Sequence, residues 1–364
     1  MIDNNAVVAA LRKVRDPNSG LDIISAKMVE DFKIDGDNVS FSIVLKSDDQ
    51  NLKSSLNFAC MEVIGELYPE AQVHIHLKIH HERPEDDSDS ILPQVKNIIA
   101  IGSGKGGVGK STISVNLAVA LANEGYKVGM IDADIYGPSI PTMMGLTGVR
   151  PKVELLYGKH KIVPLKSHGV HSISVGNIVD PEQAVVLRGP RLAGLLKQLI
   201  HDCLWPELDF LIIDLPPGTG DVQLTLVQTV PVTGAIMVTT PQEVAVIDAV
   251  KAMNMFLLPN VNVPILGVVE NMSWFTPEEL PDNKYFIFGS GGGEKLAQYG
   301  KTEVLGQVPL VQSVREAGDV GMPAASLQGN ILYPVFKQLA SNTIASVAKR
   351  NDKFAPTTTV KIVR

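Results

Sequence analysis

A glycine-rich loop in the first third of the sequence could bind phosphate. Residues 104–111 read GKGGVGKS, which matches the pattern G-x-x-x-x-G-K-S. In that pattern successive backbone N–H groups surround phosphate oxygens, and the dipole of the following helix adds positive potential. Lys110 would neutralise the β and γ phosphates, and the Ser111 hydroxyl would ligate Mg²⁺. The predicted nucleotide-binding residues are Gly104, Lys105, Gly106, Gly107, Val108, Gly109, Lys110, Ser111 and Thr112.

Carboxylates follow two further strand-like segments. Asp132 and Asp134 come at the end of the apolar run 127–132, and Asp214 ends the apolar run 210–214. Open α/β sheets bind ligands at the carboxyl ends of their strands, so these side chains are expected beside the phosphate loop. Residues two apart in an extended chain share a face, so Asp132 and Asp134 could both point toward the phosphates. The alternative is that one carboxylate caps the turn at Gly137.

The elements that would position these residues alternate along the chain. Short β-rich runs at 97–103, 127–132, 210–215, 235–240 and 265–270 are separated by helical patterns at 111–123, 191–204, 244–258 and 331–349. This order predicts an α/β domain with a mostly parallel sheet flanked by helices, in which a strand precedes the phosphate loop and a helix follows it. An ordinary βα turn without a ligand is the alternative interpretation of the loop.

A small α+β domain is predicted ahead of the phosphate-binding domain. A helix near residues 6–14, two strands around the 35–38 turn, a helix at 52–67 and an alternating strand at 72–79 give the order αββαβ. The predicted boundaries are 1–80 for this domain, 81–94 for an acidic, proline-bracketed linker, 95–352 for the P-loop domain and 353–364 for a tail. A length of 364 residues suits two domains of roughly 150 residues or more.

Composition narrows the classes of partner. Thirty-two Lys and Arg against 39 Asp and Glu give a net charge of −7, which disfavours nucleic acid as the main partner. No run of about 18 apolar residues and no secretory signal pattern is found, so we expect a cytoplasmic protein without a membrane span. Two cysteines far apart in sequence do not predict a disulfide framework.

The loop resembles the deviant Walker A pattern K-G-G-V-G-K-S/T of the MinD/Mrp-type ATPases. The resemblance implies that Lys105 reaches the nucleotide of a facing subunit in a homodimer, although a solvated loop lysine is the alternative. It implies that Asp134 orients the attacking water, that Asp132 supports Mg²⁺ and that the Gly218 amide senses the γ-phosphate. It also makes Asn271 a group that reads adenine, with a turn-forming asparagine as the alternative. Asp214 then occupies the Walker B position as a Mg²⁺ partner.

Further segments resemble the Mrp/ApbC-type iron-sulfur cluster carriers over about residues 95–350. They read DADIYGPS, DLPPGTGD, ENMS, IFGSGGGEKLA and LGQVPL. The N-terminal domain is similar to the assembly-associated domain that precedes the ATPase in many bacterial members. The resemblance implies an ATP-binding, ATP-hydrolysing, Mg²⁺-dependent homodimer that transfers iron-sulfur clusters to apoproteins and works with the assembly machinery.

The sequence departs from this family in its sulfur ligands. The family carries C-x-x-C shortly after ENMS, but residues 274–288 read WFTPEELPDNKYFIF. Iron-sulfur clusters need mainly cysteine thiolates, so direct cluster binding is in doubt. Cys60 is a candidate ligand, with a buried helix cysteine as the alternative, and Cys203 is expected to pack. Acids 278, 279 and 282 are expected to be a solvated loop.

The same motifs are also compatible with a second class of function. A MinD/ParA-like ATPase that positions or switches partners would also need the P-loop and the carboxylates. Such a protein that cycles on membranes needs a basic amphipathic helix, whereas the C-terminal residues read KFAPTTTVKIVR. The carrier or assembly function is therefore the leading interpretation and the positioning ATPase the alternative.

Overall fold

The computed structural model describes residues 2–15, 22–26, 28–45, 50–79, 92–134, 137–156, 159–178, 189–277, 279–280, 282–355, 357 and 359. The chain divides into two compact units, Met1–Asp87 and Ser88–Arg364. Of the predicted linker, only residues 92–94 are described, and of the predicted tail only 353–355, 357 and 359. Lys353 is the last residue of a helix, one position beyond the predicted end of the P-loop domain.

The first unit has the predicted order αββαβ. Its elements are α1 (Asn4–Leu11), β1 (Val29–Asp35), β2 (Asn38–Leu45), α2 (Gln50–Leu67) and β3 (Gln72–Ile79). Strand β2 lies in the centre, antiparallel to β1 and parallel to β3. Apolar residues of α1 and α2 pack on alternate residues of β2, such as Phe41 and Ile43. Cys60 lies in this core.

The second unit is built on a sheet of eight strands within the described residues. Its spatial order is β13-β12-β11-β4-β10-β5-β9-β8, parallel except for the β8–β9 pair. The strands are β4 (Val95–Ser103), β5 (Val128–Asp132), β8 (Leu165–Ser167), β9 (Val170–Ser174), β10 (Leu208–Asp214), β11 (Gly234–Thr239), β12 (Ile265–Phe275) and β13 (Val304–Leu310), with a separate hairpin of β6 (Val153–Leu156) and β7 (Lys159–Ile162).

Helices cover both faces of this sheet. They are α3 (Lys110–Asn123), α4 (Ile140–Met143), α5 (Gly189–His201), α6 (Asp221–Thr229), α7 (Glu243–Leu257), α8 (Gly292–Tyr299), α9 (Gln312–Asp319) and α10 (Tyr333–Lys353). Neighbouring residues of β4 face opposite layers: Ile98 packs in the cluster with α5, α6 and α7, whereas Ile99 packs in the cluster with α3 and α10. Burial on both faces explains why the central strands are almost continuously apolar.

The parallel α/β prediction is confirmed, and the carboxyl edge of the sheet collects the candidate residues. Strand β10 lies between β4 and β5, with Asp214 in register with Ile101 on one side and Asp132 on the other. The phosphate loop leaves the same edge after β4. No helix in the described residues combines the length and apolar character needed to cross a bilayer.

Candidate functional site

The phosphate loop is held by close packing at its glycines. An ideal Cβ on Gly104 would lie 2.1 Å from the backbone carbonyl carbon of Asp248 in α7, so only glycine fits there. Gly109 has φ +81°, a left-handed conformation that favours glycine, and it directly precedes the start of α3 at Lys110. The loop therefore presents backbone amides at a helix N-terminus, the arrangement that binds phosphate.

Lys110, Ser111 and Ser114 converge on Asp214. Lys110 Nζ lies 2.8 Å from Asp214 Oδ2, and the Ser111 hydroxyl donates to the same oxygen at 2.6 Å. The hydroxyl of Ser114, one turn along α3, lies 2.6 Å from Asp214 Oδ1. Asp214 is fully buried and Lys110 is 6% exposed. The predicted phosphate lysine, Mg²⁺ serine and Walker B acid thus contact one another directly.

Asp132 and Asp134 face different neighbours. Asp132 Oδ2 accepts from the Ser174 hydroxyl at 2.8 Å, and its Oδ1 accepts from the backbone N–H of Asp134 at 3.1 Å. Burial raises the pKa of Asp132 to about 8, and the nearby Asp214 carboxylate adds to the rise. Asp134 Oδ2 lies 3.6 Å from Lys110 Nζ. Asp134 therefore lies beside the phosphate lysine, whereas Asp132 is bonded to Ser174 and to the backbone of Asp134. The roles of Asp134 in orienting water and of Asp132 in supporting Mg²⁺ stay predictions.

Burial also shifts the pKa of Asp134. Loss of solvation raises it above the usual carboxyl range, the Lys110 ammonium opposes that rise, and Asp214 adds to it. A carboxylate with a raised pKa accepts a proton more readily, a property suited to a group that orients or activates water.

Lys105 is half-buried, and its ammonium forms no ion pair within the described part of the chain. Its backbone carbonyl accepts from the Ser103 hydroxyl at 3.1 Å. A free ammonium beside the phosphate loop fits both the predicted contact to a second subunit and the solvated-lysine alternative.

The loop after Asp214 is hydrogen-bonded to the start of the phosphate loop. The Gly218 N–H donates to the carbonyl of Ser103 at 2.9 Å, and the Leu215 N–H donates to Ile101 at 3.1 Å. The side-chain amide of Gln223, in the first turn of α6, donates to the carbonyls of Pro216 and Gly218, each at 3.0 Å. The predicted γ-phosphate sensor is thus engaged by protein in this conformation.

Asn271 contacts the phosphate loop directly. It is buried near the end of β12, and its Nδ2 donates to the Val108 carbonyl at 2.9 Å. A Cβ on Gly109 would lie 2.1 Å from that same nitrogen, so this glycine also makes room for Asn271. The side chain supports the loop in this conformation, and adenine recognition stays a prediction.

Neither cysteine suits a cluster ligand in this conformation. Cys60 is fully buried among apolar residues of the first unit, and Cys203 is buried in the second. Burial raises the pKa of each thiol to about 12, whereas cluster ligands are thiolates. The geometry fits the packing alternative for Cys60, not the ligand interpretation.

The segment that replaces C-x-x-C is exposed and aromatic. Phe275 pairs with Tyr285 in an isolated antiparallel bridge, and Lys284 lies over the Trp274 ring at 4.2 Å from its centroid. Glu279 and Asp282 are exposed as expected, and Glu278 lies outside the described residues. Within the described residues, no three His, Cys, Asp or Glu side chains are grouped so as to hold a metal ion.

Sequence reasoning missed Ser114, Ser174 and Gln223. Ser114 could have been suspected, because it is a hydroxyl in an otherwise apolar stretch of α3 at helical spacing from Lys110. Ser174 lies 42 residues from Asp132, and no local pattern joins them.

Family comparison decides between the P-loop classes. The family model described as NUBPL iron-transfer P-loop NTPase matches residues 94–344. The chain belongs to this family. A second model, described as iron-sulfur cluster assembly protein, matches residues 4–75 within the first unit.

Several relatives named iron-sulfur cluster carrier protein align over most of the chain. One from Synechocystis is 44% identical over 348 residues, covering 93% of this chain and 98% of the relative. One from Aquifex aeolicus is 39% identical, covering 87% of this chain and 90% of the relative. One from Escherichia coli K12 is 51% identical over 254 residues, covering 70% of this chain and 67% of the relative.

Solved structures agree on the fold of the second unit. A nucleotide-binding protein from Archaeoglobus fulgidus, in complex with ADP, is 31% identical with a TM-score of 0.56, covering 74% of this chain and 96% of that one. The cell division ATPase MinD from Pyrococcus furiosus is 24% identical with a TM-score of 0.51, covering 68% of this chain and 98% of that one. The MinD likeness shows the fold alone.

Proposed function

We propose that this protein is a Mg²⁺-dependent ATPase that acts as a homodimer in delivering iron-sulfur clusters to apoproteins. The convergence of Lys110 and Ser111 on Asp214 carries the ATPase part, because these three side chains are the ones that phosphate and Mg²⁺ would engage. Family membership and the relatives named cluster carriers support the delivery part. We place the protein in the cytoplasm, where ATP is available and thiols stay reduced.

Each predicted residue has a role in this proposal. The 104–112 backbone and Lys110 bind the phosphates. Ser111 and Asp214 hold Mg²⁺, with Asp132 behind them, and Mg²⁺ neutralises phosphate charge when bound. Mg²⁺ usually takes one or two carboxylates together with substrate phosphates, which matches a site with Asp214 and the phosphate loop. Asp134 orients the attacking water, and Asn271 contacts adenine.

Lys105 acts on the nucleotide of the partner subunit in this proposal. Its ammonium forms no ion pair with the residues that the structure describes, which supports the role, and such a cation stabilises charge that develops during phosphoryl transfer. Lys105→Ala and Asp134→Asn should each bind ATP but hydrolyse it at least a hundredfold more slowly. Lys110→Ala should lose nucleotide binding.

Mixing inactive variants tests the contact between subunits. In a mixed dimer of Lys105→Ala and Asp134→Asn chains, one site combines an intact Asp134 with the lysine of the other chain. Random pairing makes half of the dimers mixed, so about a quarter of wild-type activity should return. Mixing Lys110→Ala with Asp134→Asn is the matched control and should restore none. No recovery in the first mixture would show that Lys105 does not act across a dimer.

Cluster delivery is tested separately from hydrolysis. Both cysteines of the chain are buried, so in this proposal the cluster is cargo whose ligands include groups from a partner. Iron and sulfide should be measured in anaerobically purified protein. Transfer of a cluster from a scaffold to an apoprotein should be faster with wild type and ATP than with Lys110→Ala. Equal transfer rates would count against an ATP-dependent delivery role.

The positioning alternative has no specific observation in its favour. The likeness to MinD shows the fold alone at 24% identity. Strong co-sedimentation with liposomes or DNA in the presence of ATP would favour that alternative instead.

A further inference from the structure

Gln223 holds the loop that contains Gly218, whose backbone N–H is the γ-phosphate sensor predicted from the family resemblance. Its side chain is 2% exposed, and its Nε2 donates to the Pro216 and Gly218 carbonyls at 3.0 Å each. Both amide hydrogens are therefore used. The reverse orientation would place Oε1 against two carbonyl oxygens, so these contacts fix the orientation of the amide.

The two contacts lie on either side of the sensing group. The Gly218 N–H belongs to the peptide unit that joins Pro217 to Gly218, and Gln223 holds the carbonyls of the units before and after it. That N–H donates to Ser103 at 2.9 Å. For the Gly218 N–H to reach a phosphate oxygen, it must leave Ser103, and the adjacent carbonyls must shift relative to Gln223.

The remaining atom of this amide is unsatisfied. Gln223 Oε1 is buried and has no hydrogen-bond partner within the described residues. Buried acceptors without partners are uncommon and destabilise the state that contains them. The 215–220 loop supplies backbone N–H groups, and Oε1 lies 3.5 Å from the position of an ideal Cβ on Gly220. A loop movement that brings one of these N–H groups to Oε1 would satisfy this acceptor, which favours a second arrangement.

We propose that Gln223 is a latch that holds the 215–220 loop in the arrangement in which the Gly218 N–H bonds to Ser103, and thereby sets the preference of the site for ADP or ATP. This inference rests on the proposed ATPase function. ADP and ATP both engage the phosphate loop, but only ATP has the γ-phosphate that draws Gly218 from Ser103. Opening the latch therefore opposes binding of ATP and not of ADP, because a ligand shifts an equilibrium only by its different affinities for the two states.

Removing the amide donors tests the latch. Gln223→Met keeps the length and apolar volume of the side chain and should bind a non-hydrolysable ATP analogue with Mg²⁺ about fivefold more tightly, the ratio expected from one net hydrogen bond. Affinity for ADP should stay within about twofold of wild type. Fluorescent forms of both nucleotides give the two dissociation constants. Gln228→Met, an exposed glutamine on the same helix, is the matched control and should leave both unchanged.

A second variant guards against misfolding. Gln223→Leu also removes both amide donors without burying a charge, so it should move the ratio of the two affinities in the same direction. The thermal unfolding midpoint of each variant reports whether it is folded. Equal weakening of both nucleotides would assign Gln223 a structural role only and overturn the latch, as would an unchanged ratio. If wild type bound neither nucleotide, the ATPase proposal would fail and the latch with it.

Discussion

Asp214→Asn removes the charge partner of the phosphate lysine from a closed site. Lys110 is 6% exposed, and its ammonium lies 2.8 Å from Asp214 and 3.6 Å from Asp134. Removing one partner of a buried ion pair costs about 3–5 kcal/mol. Because Asp134 stays near Lys110, we expect a loss near the lower end, about 3 kcal/mol of unfolding free energy in nucleotide-free protein.

The reciprocal change and the double variant separate the coupling between Lys110 and Asp214 from the effect of losing either residue alone. Lys110→Met leaves Asp214 with its two serine donors, so we expect a loss of about 2 kcal/mol. Lys110→Met/Asp214→Asn removes both charges and should lower the free energy of unfolding by about 3 kcal/mol. The two single losses add to about 5 kcal/mol, so the expected coupling energy is about 2 kcal/mol.

Urea unfolding, monitored by tryptophan fluorescence, measures these changes in the unfolding free energy of the second unit. The two tryptophans of the chain, Trp205 and Trp274, both lie in the second unit, so the signal follows that unit alone. The exposed pair Lys96–Asp209, with N and O atoms 2.7 Å apart, is the control cycle and should couple by about 0.5 kcal/mol. Equal coupling in the two cycles, or additive losses at Lys110 and Asp214, would refute the buried-pair reasoning.

Three further changes probe other contacts. Gly104→Ala places a Cβ against the α7 backbone, so we expect the free energy of unfolding to fall by about 2 kcal/mol. Nucleotide binding measured by calorimetry should weaken at least tenfold, and wild-type affinity would contradict this reasoning. The buried Glu270 carboxylate accepts a 2.6 Å hydrogen bond from the Gly293 N–H, and Glu270→Gln weakens it. Urea unfolding should show a loss of about 2 kcal/mol in the free energy of unfolding, and an unchanged midpoint would contradict this expectation. Lys96 holds the pKa of Asp209 below its ordinary value, so the carboxylate stabilises the fold above about pH 4, and this stabilisation is lost as pH falls through the lower folded pKa. Asp209→Asn should therefore be less stable than wild type by about 1 kcal/mol at pH 7, and this difference should shrink as pH falls below about 4, whereas a constant difference across the pH series would exclude this linkage.

The sequence was informative where chemistry and local structure share one segment. The strand before Gly104, the loop and the helix from Lys110 are contiguous, so one pattern predicts both the fold and the phosphate site. Asp214 ends an apolar strand, and the parallel sheet brings it to Lys110 because β10 lies beside β4. The long apolar strands and the helices were predictable because the hydrophobic pattern of each lies within one contiguous segment.

Contacts between distant segments were not predictable where the strands involved are short and only weakly apolar. The hydrogen bond from Ser174 to Asp132 depends on the pairing of β9 with β5, and β9 is a short strand with mixed polarity. The hairpin β6–β7 has similarly weak patterning and was missed. Cys60 shows the limit for a single residue: helix position alone does not tell whether a thiol faces the core, and burial decides its chemistry.

The burial of both thiols makes the native protein suitable for selective labelling. Burial raises the pKa of each thiol to about 12 and shields it from reagents, so alkylating reagents should react with Cys60 and Cys203 very slowly. A cysteine introduced at an exposed position, for example Asp282→Cys, would therefore be modified without first removing the native thiols. Paired spin or fluorescent labels there would report the distance between two copies of the chain as nucleotide is added.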